Sequence, residues 1–274
     1  MKWLIWVVIA LVLGAGSAAL VVKLNSDAFT ARVAALRAEL TAAAALPSTG
    51  PPELPALVRD YALRAGGAVG GPALFVLHQK AQLFTSAAQP PVALVTEQWT
   101  LTRQAGIVWS AAGSMYGLPV VVVDAFVAGR GVFDARLAAT LKVAGGDGPD
   151  YDRGELMRWL SELPLHPDAI LNATDLVWQQ LDARTVSVTA QSASGPATLR
   201  FGFDENGDIV SMVADDRPMD RGGAAVPTVW RGLYAQYRQF GAYRLPSWGE
   251  VGWELPEGLF TYWKGELTSY EARL

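Results

Sequence analysis

The chain has 274 residues, of which 51% are hydrophobic and 18% charged, and its formal net charge is −4; this suits one large or two small domains with a buried core plus an anchor. The weakly acidic balance, with no Lys/Arg cluster, argues against nucleic acid as a partner, because counterion release needs a basic footprint. Having no cysteine excludes disulfides, thiolate zinc, a thiol nucleophile and a lipid-modified N-terminal Cys, and two histidines, His78 and His166, leave little for a His-built metal site or a Ser–His–Asp triad.

In chain order, Trp3 to Val22 is an uncharged apolar run bounded by Lys2 and Lys23. About 20 such residues span a hydrocarbon core. A cleaved signal peptide, with Ser17 and Ala19 at the −3 and −1 sites, is the competing reading; the run continuing through Leu20, Val21 and Val22 favours an uncleaved single-pass anchor. Lys2 on one side and Lys23, Arg32 and Arg37 on the other nearly balance. The very short basic start resembles an export signal and places the body outside the cytoplasm, on the periplasmic side. Asp27 to Leu46 is Ala-rich with helical spacing and reads as a stalk helix ending before Pro47 and the linker LPSTGPPELP. Leu54 to Ala65 reads as another short helix. AGGAVGG at 65–71 lacks the Lys-Ser/Thr of a phosphate loop and reads as a hinge.

From Val92 the pattern turns to strands: VALVTEQWTLTRQ, GIVWSAAGSMYG, LPVVVVDAFVAGRG and VFDARLAATLKVA, rich in Val, Thr and aromatics and separated by Gly-bearing breaks. Tyr151 to Leu171 is then a helical insert. Asp152 with Glu155 three residues on forms a capping-box variant. Leu156, Trp159, Leu160 and Leu163 make one apolar stripe, Arg153, Glu155, Arg158 and Glu162 lie largely off it, and Pro164 ends the helix. Pro167 opens a further turn. RTVSVTAQ, ATLRFGF and FGFDENGDIVSMV follow, with Asn206-Gly207 as a hairpin signal, and Thr228–Phe240, Tyr243–Leu245, Glu250–Leu255 and Thr261–Ala272 supply the last strands. Strands, one helical insert, then strands again predict an α+β fold: a transmembrane helix and helical stalk, then a curved antiparallel sheet, an open half-barrel, around a central helix. The expected divisions are 1–23 anchor, 24–72 stalk and linker, and 82–274 half-barrel domain.

The segments RGELMRWLSELPLHPDAI, FGFDENGDI, VWRGLYAQYRQFGAYRLPSWGEVGWEL and TYWKGEL, with EQW at 97–99, VWSA at 108–111, VVDAFVAGRG at 122–131 and Trp178, resemble an uncharacterised bacterial family of membrane-anchored proteins, a domain of unknown function, over roughly 82–267. The sheet pattern is similar to the half-barrel of periplasmic lipoprotein carriers, which hold acyl chains against a helical lid. The family implies no reaction.

Several residue groups invite chemistry. Asp204, Asn206 and Asp208 alternate as in a calcium loop, but the twelfth position is Asp215 and not Glu, so a turn explains them better and no metal or cofactor is expected. Asp215-Asp216-Arg217 suggests buried carboxylates facing Arg153, Arg158 or Arg217. Glu155, Glu162, Asp216 and Glu250 are candidates for a glycoside-hydrolysing pair, whereas Ser114 and Ser247 lack the G-x-S-x-G context. His166 reads as a cap or core group. With no activated nucleophile to name, binding is expected over catalysis. Ten tryptophans and eight tyrosines suit sheet packing and also an apolar pocket with a polar mouth. Trp159, Trp230, Tyr237 and Trp253 are the expected lining of a lipid or acyl-chain pocket, with Arg153, Arg158 or Arg244 meeting an anionic head group. A structural or assembly factor that docks a protein partner by strand addition is one alternative, and an envelope-glycan hydrolase another.

Overall fold

The structure, a computed structural model, describes residues 2–45 and 53–273; the expected linker residues 46–52 lie outside these. One continuous helix, α1 (Lys2–Ala44), contains both the apolar run and the expected stalk. The short helix α2 (Ala56–Arg64) opens directly after Pro55. The first strand, β1 (Leu74–Leu83), begins earlier than the sequence pattern suggests. Its first residues are buried in succession and do not alternate, as in a strand covered on both faces.

β2 (Val92–Leu101), β3 (Ile107–Met115), β4 (Leu118–Val127), β5 (Arg130–Leu137) and β6 (Leu141–Asp147) complete the first half of the sheet. The expected single strand VFDARLAATLKVA is two, because Ala138 and Ala139 take positive φ angles of 49° and 53° and reverse the chain. The helical insert is α3 (Pro149–Ser161), a 3-10 turn (Leu163–Leu165) and α4 (Pro167–Asn172). β7 (Val177–Gln180), β8 (Thr185–Ser192), β9 (Gly195–Phe203), β10 (Ile209–Arg221), β11 (Ala224–Phe240), β12 (Tyr243–Leu255) and β13 (Gly258–Arg273) form the second half.

Among the described residues these strands make one antiparallel sheet in the order β6-β5-β4-β3-β2-β1-β13-β12-β11-β10-β9-β8-β7. It is two meanders joined where β1 meets β13, with Leu77 opposite Tyr270. α3 touches β4, β5 and β6 from one end of that order and β8, β9 and β10 from the other. Such contacts require the sheet to curl around the helix, so the domain is an α+β half-barrel with α3 in its trough.

Strand alternation assigns the two faces. Inward residues such as Phe126, Val188, Leu199, Phe201, Met212 and Trp230 pack with Leu156, Trp159, Leu160 and Ile170 of the insert and with Val58 and Tyr61 of α2. Outward residues of the first meander, among them Leu101, Val108, Val123 and Ala125, pack instead against Phe29, Val33 and Leu40 of α1. The second half of α1 is therefore a packed layer on the back of the sheet. It runs antiparallel to β5: Asn25 bonds Thr140 at 3.1 Å, Arg32 meets Asp134 at 2.6 Å and Glu39 meets Arg130 at 2.8 Å.

Two local expectations change. α3 begins at Pro149, earlier than the expected Asp152 cap, after Gly148 at φ 99° and with no side-chain cap. Asp152 instead accepts from the Gly131 N–H at 2.7 Å and the Ser194 hydroxyl at 3.1 Å, tying the helix to both meanders. The glycine-rich segment is a docking surface for α4, not a hinge. Asp168 Oδ1 accepts the Ala68 N–H (3.1 Å) and Asn172 Oδ1 the Gly70 N–H (2.7 Å), while a Cβ on Gly67 would strike Pro167.

Candidate functional site

The trough holds a buried polar network that begins on α3. Glu155, Arg158 and Glu162, expected on a wet face, point into the sheet, because a helix lying in a trough is covered nearly all round. Arg158 donates to Asp124 of β4, lies 3.5 Å from Glu162 and covers the Trp109 ring at 5.0 Å. Arg217 of β10 lies 3.6 Å from Glu155, donates to the Gly154 carbonyl and to Tyr262 Oη at 3.2 Å each, and stacks over Trp230 at 4.0 Å. Glu155 and Asp124 are in hydrogen-bond contact, which requires one proton between two acids. Burial and the adjacent Asp124 push Glu155 well above the carboxylate range; Asp124, although burial opposes it, is held below that range by Arg158 and the Glu155 hydrogen bond. Asp124 and Glu155 are each less than a tenth exposed beneath α3, a poor arrangement for attack on a glycan.

The seven residues expected to share a ligand pocket occupy several places. Trp159 is buried in the main core and donates to the Leu101 carbonyl at 3.3 Å. Trp230 donates to Tyr262 Oη at 3.1 Å, and Trp253 stacks on Tyr262 with ring centres 5.9 Å apart. With Arg217 and Arg158 these form one continuous interior. Tyr237 lies roughly 20 Å further along β11 at about 3.3 Å per residue. There it bonds Tyr61 Oη (3.2 Å) and the Ile209 carbonyl (2.7 Å), while Arg244 holds Asp208 bidentately at 2.7 Å. That pair also accounts for the Asp204–Asp208 turn, in which Asp204 Oδ1 accepts the N–H groups of Asn206 and Asp208 at 2.9 Å each. Arg153 is committed to Asp216 and the Pro196 carbonyl, pinning α3 to β9 and β10. Between α3 and β11–β13, near Glu162, Tyr234 and Trp263, the cavity measures about 50 Å³, room for a few waters.

A much larger concavity lies on the opposite face. Between α1 and the back of β1–β4 runs a groove of about 860 Å³, lined mainly by Phe29, Val33, Ala34, Val95, Trp99 and Val121. That is the size of a small-molecule site. Its charged and polar groups are Arg37, Glu97, His78, Ser110 and three threonines, Thr30, Thr41 and Thr96. Arg37 donates to Ser110 Oγ at 2.8 Å, lies 3.2 Å from Glu97 and sits over the Trp99 ring at 5.5 Å, yet its buried Nε has no hydrogen-bond partner. The sequence marked Glu97 and Trp99 in the EQW segment, Ser110 and Ala111 in VWSA and Val122 in VVDAFVAGRG only as parts of a family resemblance, and none of the groove residues as ligand contacts. The remaining signal is that β2 carries apolar residues in both phases, Val92 and Leu94 inward, Ala93 and Val95 outward; Val95 is 66% exposed.

Beyond the groove α1 continues as the apolar run, long and apolar enough to cross a membrane, with Trp3, Trp6, Leu11 and Leu13 exposed. Fold and site thus define a class: a curled antiparallel half-barrel with an internal helix and an apolar N-terminal helix laid along its back. The chain belongs to a family of unknown function, DUF6544, whose profile matches residues 47–265. No curated protein matches it. Among solved structures it is similar to an outer membrane lipoprotein-sorting protein domain of Vibrio parahaemolyticus at 8% identity and TM-score 0.42, covering 78% of this chain and 91% of that one. It is also similar to a LolA superfamily protein of Nitrosomonas europaea at 7% identity and TM-score 0.44, covering 79% and 94%. A DUF1329 family protein of Desulfovibrio piger aligns at 8% identity and TM-score 0.41, covering 79% and 92%.

Proposed function

We propose that this protein is anchored in a membrane by the first part of α1, carries its half-barrel on the extracytoplasmic side, and binds a single lipid or lipid-like chain without covalent chemistry. The observation that carries this reading is the 860 Å³ groove, whose apolar wall is the continuation of the membrane-crossing helix itself. A chain leaving the bilayer along α1 reaches Phe29 about 10 Å beyond Val22, at 1.5 Å per residue, and Val33 one turn further. Arg37, with its unpartnered Nε at the groove, offers a donor to an anionic or carbonyl-bearing head group.

The test is native mass spectrometry of the full chain released from detergent micelles, followed by solvent extraction of whatever remains bound. A discrete extractable lipid mass is expected on the wild type and is lost in Val95→Glu, which puts a charge into the groove at a position exposed enough to leave folding intact. A wild type free of bound lipid, or a variant that retains it unchanged, overturns the groove as the site.

A further inference from the structure

Within the first meander, the end from which α1 departs differs in chemistry from the other end. Three connections meet there: residues 84–91 between β1 and β2, the Tyr116-Gly117 turn, and the Ala138–Thr140 turn. They are joined by hydrogen bonds from Tyr116 Oη to Gln89 (3.0 Å) and from the Ala138 N–H to the Pro119 carbonyl (2.7 Å), and Thr140 accepts from Asn25 of α1. The hairpins that build this rim contain no charged residue from Ala81 to Thr96 or from Gln104 to Val123. At the other end of the same strands stand Arg103, Arg130 and Asp147. Two of the three connections are thus uncharged over long stretches, and the third hairpin carries only Arg136 and Lys142 beside its turn, which is less charge than a freely solvated edge usually shows.

The rim also exposes large side chains. Tyr116 is 77% exposed, Leu141 62% and Leu118 46%. Tyr116 is the more telling because its φ is 54°, in a two-residue turn where that conformation favours Asn, Asp or Gly. A bulky ring held outward there, at a cost in backbone energy, is a poor choice for water. Tyrosine is, however, the side chain enriched where apolar and polar media meet. Position completes the argument. α1 runs along β5, so its apolar part leaves past the rim in the strand direction, and Asn25 at the rim lies only about 5 Å along the helix from Val22, at 1.5 Å per residue.

We infer that this rim is a second membrane contact: Tyr116, Leu118 and Leu141 seat in the headgroup region beside α1, with the strands standing toward the bilayer. The inference rests on the reading of α1 as a retained membrane span, and it adds a function for that reading. Seating fixes the tilt of the domain and brings the Phe29 end of the groove to the bilayer surface.

The chain has no native cysteine, so single-cysteine variants report unambiguously. Tyr116→Cys, Leu141→Cys, Leu13→Cys in the span and Glu205→Cys in the distant β9–β10 turn are labelled with a small environment-sensitive fluorophore. The full chain is then reconstituted into phosphatidylcholine–phosphatidylglycerol vesicles with and without nitroxide-bearing lipids. Labels at 116, 141 and 13 are expected to lose roughly half or more of their emission to lipid-borne quencher, as side chains at or below headgroup depth do, while the label at 205 is unchanged. If 13 is quenched and 116 and 141 behave like 205, the rim inference is wrong and the span stands. If 13 is also unquenched, the span reading fails and the inference with it.

Discussion

Replacing Arg158 by Met tests whether the trough network holds α3 in place. The substitution keeps most of the volume but removes the charge that faces Asp124 and Glu162, all three side chains being 11–14% exposed. Removing one partner of a buried pair leaves an uncompensated charge and costs about 3–5 kcal/mol. The lost stacking on Trp109 adds up to about 1–2 kcal/mol where the guanidinium is desolvated. Urea unfolding of the full chain in detergent micelles, followed by tryptophan emission, reads the difference. Combining Arg158→Met with Asp124→Asn should cost clearly less than the two single changes added together, since the neutral amide no longer needs the arginine. The variant's defect should also deepen with pH. Without Arg158, Asp124 and Glu162 hold protons in the folded state that the unfolded chain releases above about pH 4.5, so stability falls as pH rises. A single-variant cost below about 1 kcal/mol, or strict additivity in the cycle, refutes the buried-pair reasoning.

Burial with no compensating anion lowers His166 to about 3, so the folded state resists its protonation. The stability it contributes is complete above the unfolded value of 6.5 and is lost as pH falls from there toward 3, at up to about 1.4 kcal/mol per pH unit. Comparing wild type with His166→Phe, which suits the neighbouring Phe75 and Tyr270 rings, isolates that slope from the opposing one of Glu155; identical acid limbs would refute it. Truncation separates the two halves of α1. Removing residues 1–22 should leave a folded domain soluble without detergent, whereas removing 1–45 uncovers Leu101, Val108 and Val123 and deletes Phe29, Val33 and Leu40 from their core, each worth about 1.5–3 kcal/mol buried. Analytical centrifugation decides, and equal behaviour of the two truncations counts against a packed α1.

The α+β half-barrel was legible because its strands alternate and its breaks carry Gly, Asn or Pro, and the long apolar N-terminal helix because nothing charged interrupts it from Trp3 to Val22. Reading Glu155, Arg158 and Glu162 as a wet face failed for a tertiary reason: amphipathicity predicts which side of a helix meets a flat layer, and here the layer curls round both sides. A local signal was present in VVVVDAF, where Asp124 shares the inward phase of Val120, Val122 and Phe126 and so announces a buried charge in want of an arginine. Gln98, likewise inward on β2, hydrogen-bonds Glu162. The groove left no comparable trace, because it forms between elements distant in the chain and only the docking angle of α1 creates it. For the same reason the seven expected ligand residues are individually well placed for packing, yet spread over the length of the trough.

That spread bears on which face can take a ligand. Admitting a chain to the trough means lifting α3 and exposing at least Leu156, Met157, Trp159 and Leu160, all but fully buried; at about 1.5–3 kcal/mol each this is roughly 6–12 kcal/mol. A micromolar complex has only about 8 kcal/mol of binding free energy in total, so opening the trough would consume most or all of it, and the Asp124–Arg158 and Glu155–Arg217 contacts would have to break as well. The groove behind the sheet is already formed and already lined. Its occupant gives up only bilayer or detergent surroundings, and its walls need no rearrangement. The lipid site proposed above is therefore compatible with the outer face and hard to reconcile with the inner one, where α3 fills the half-barrel as a packed plug.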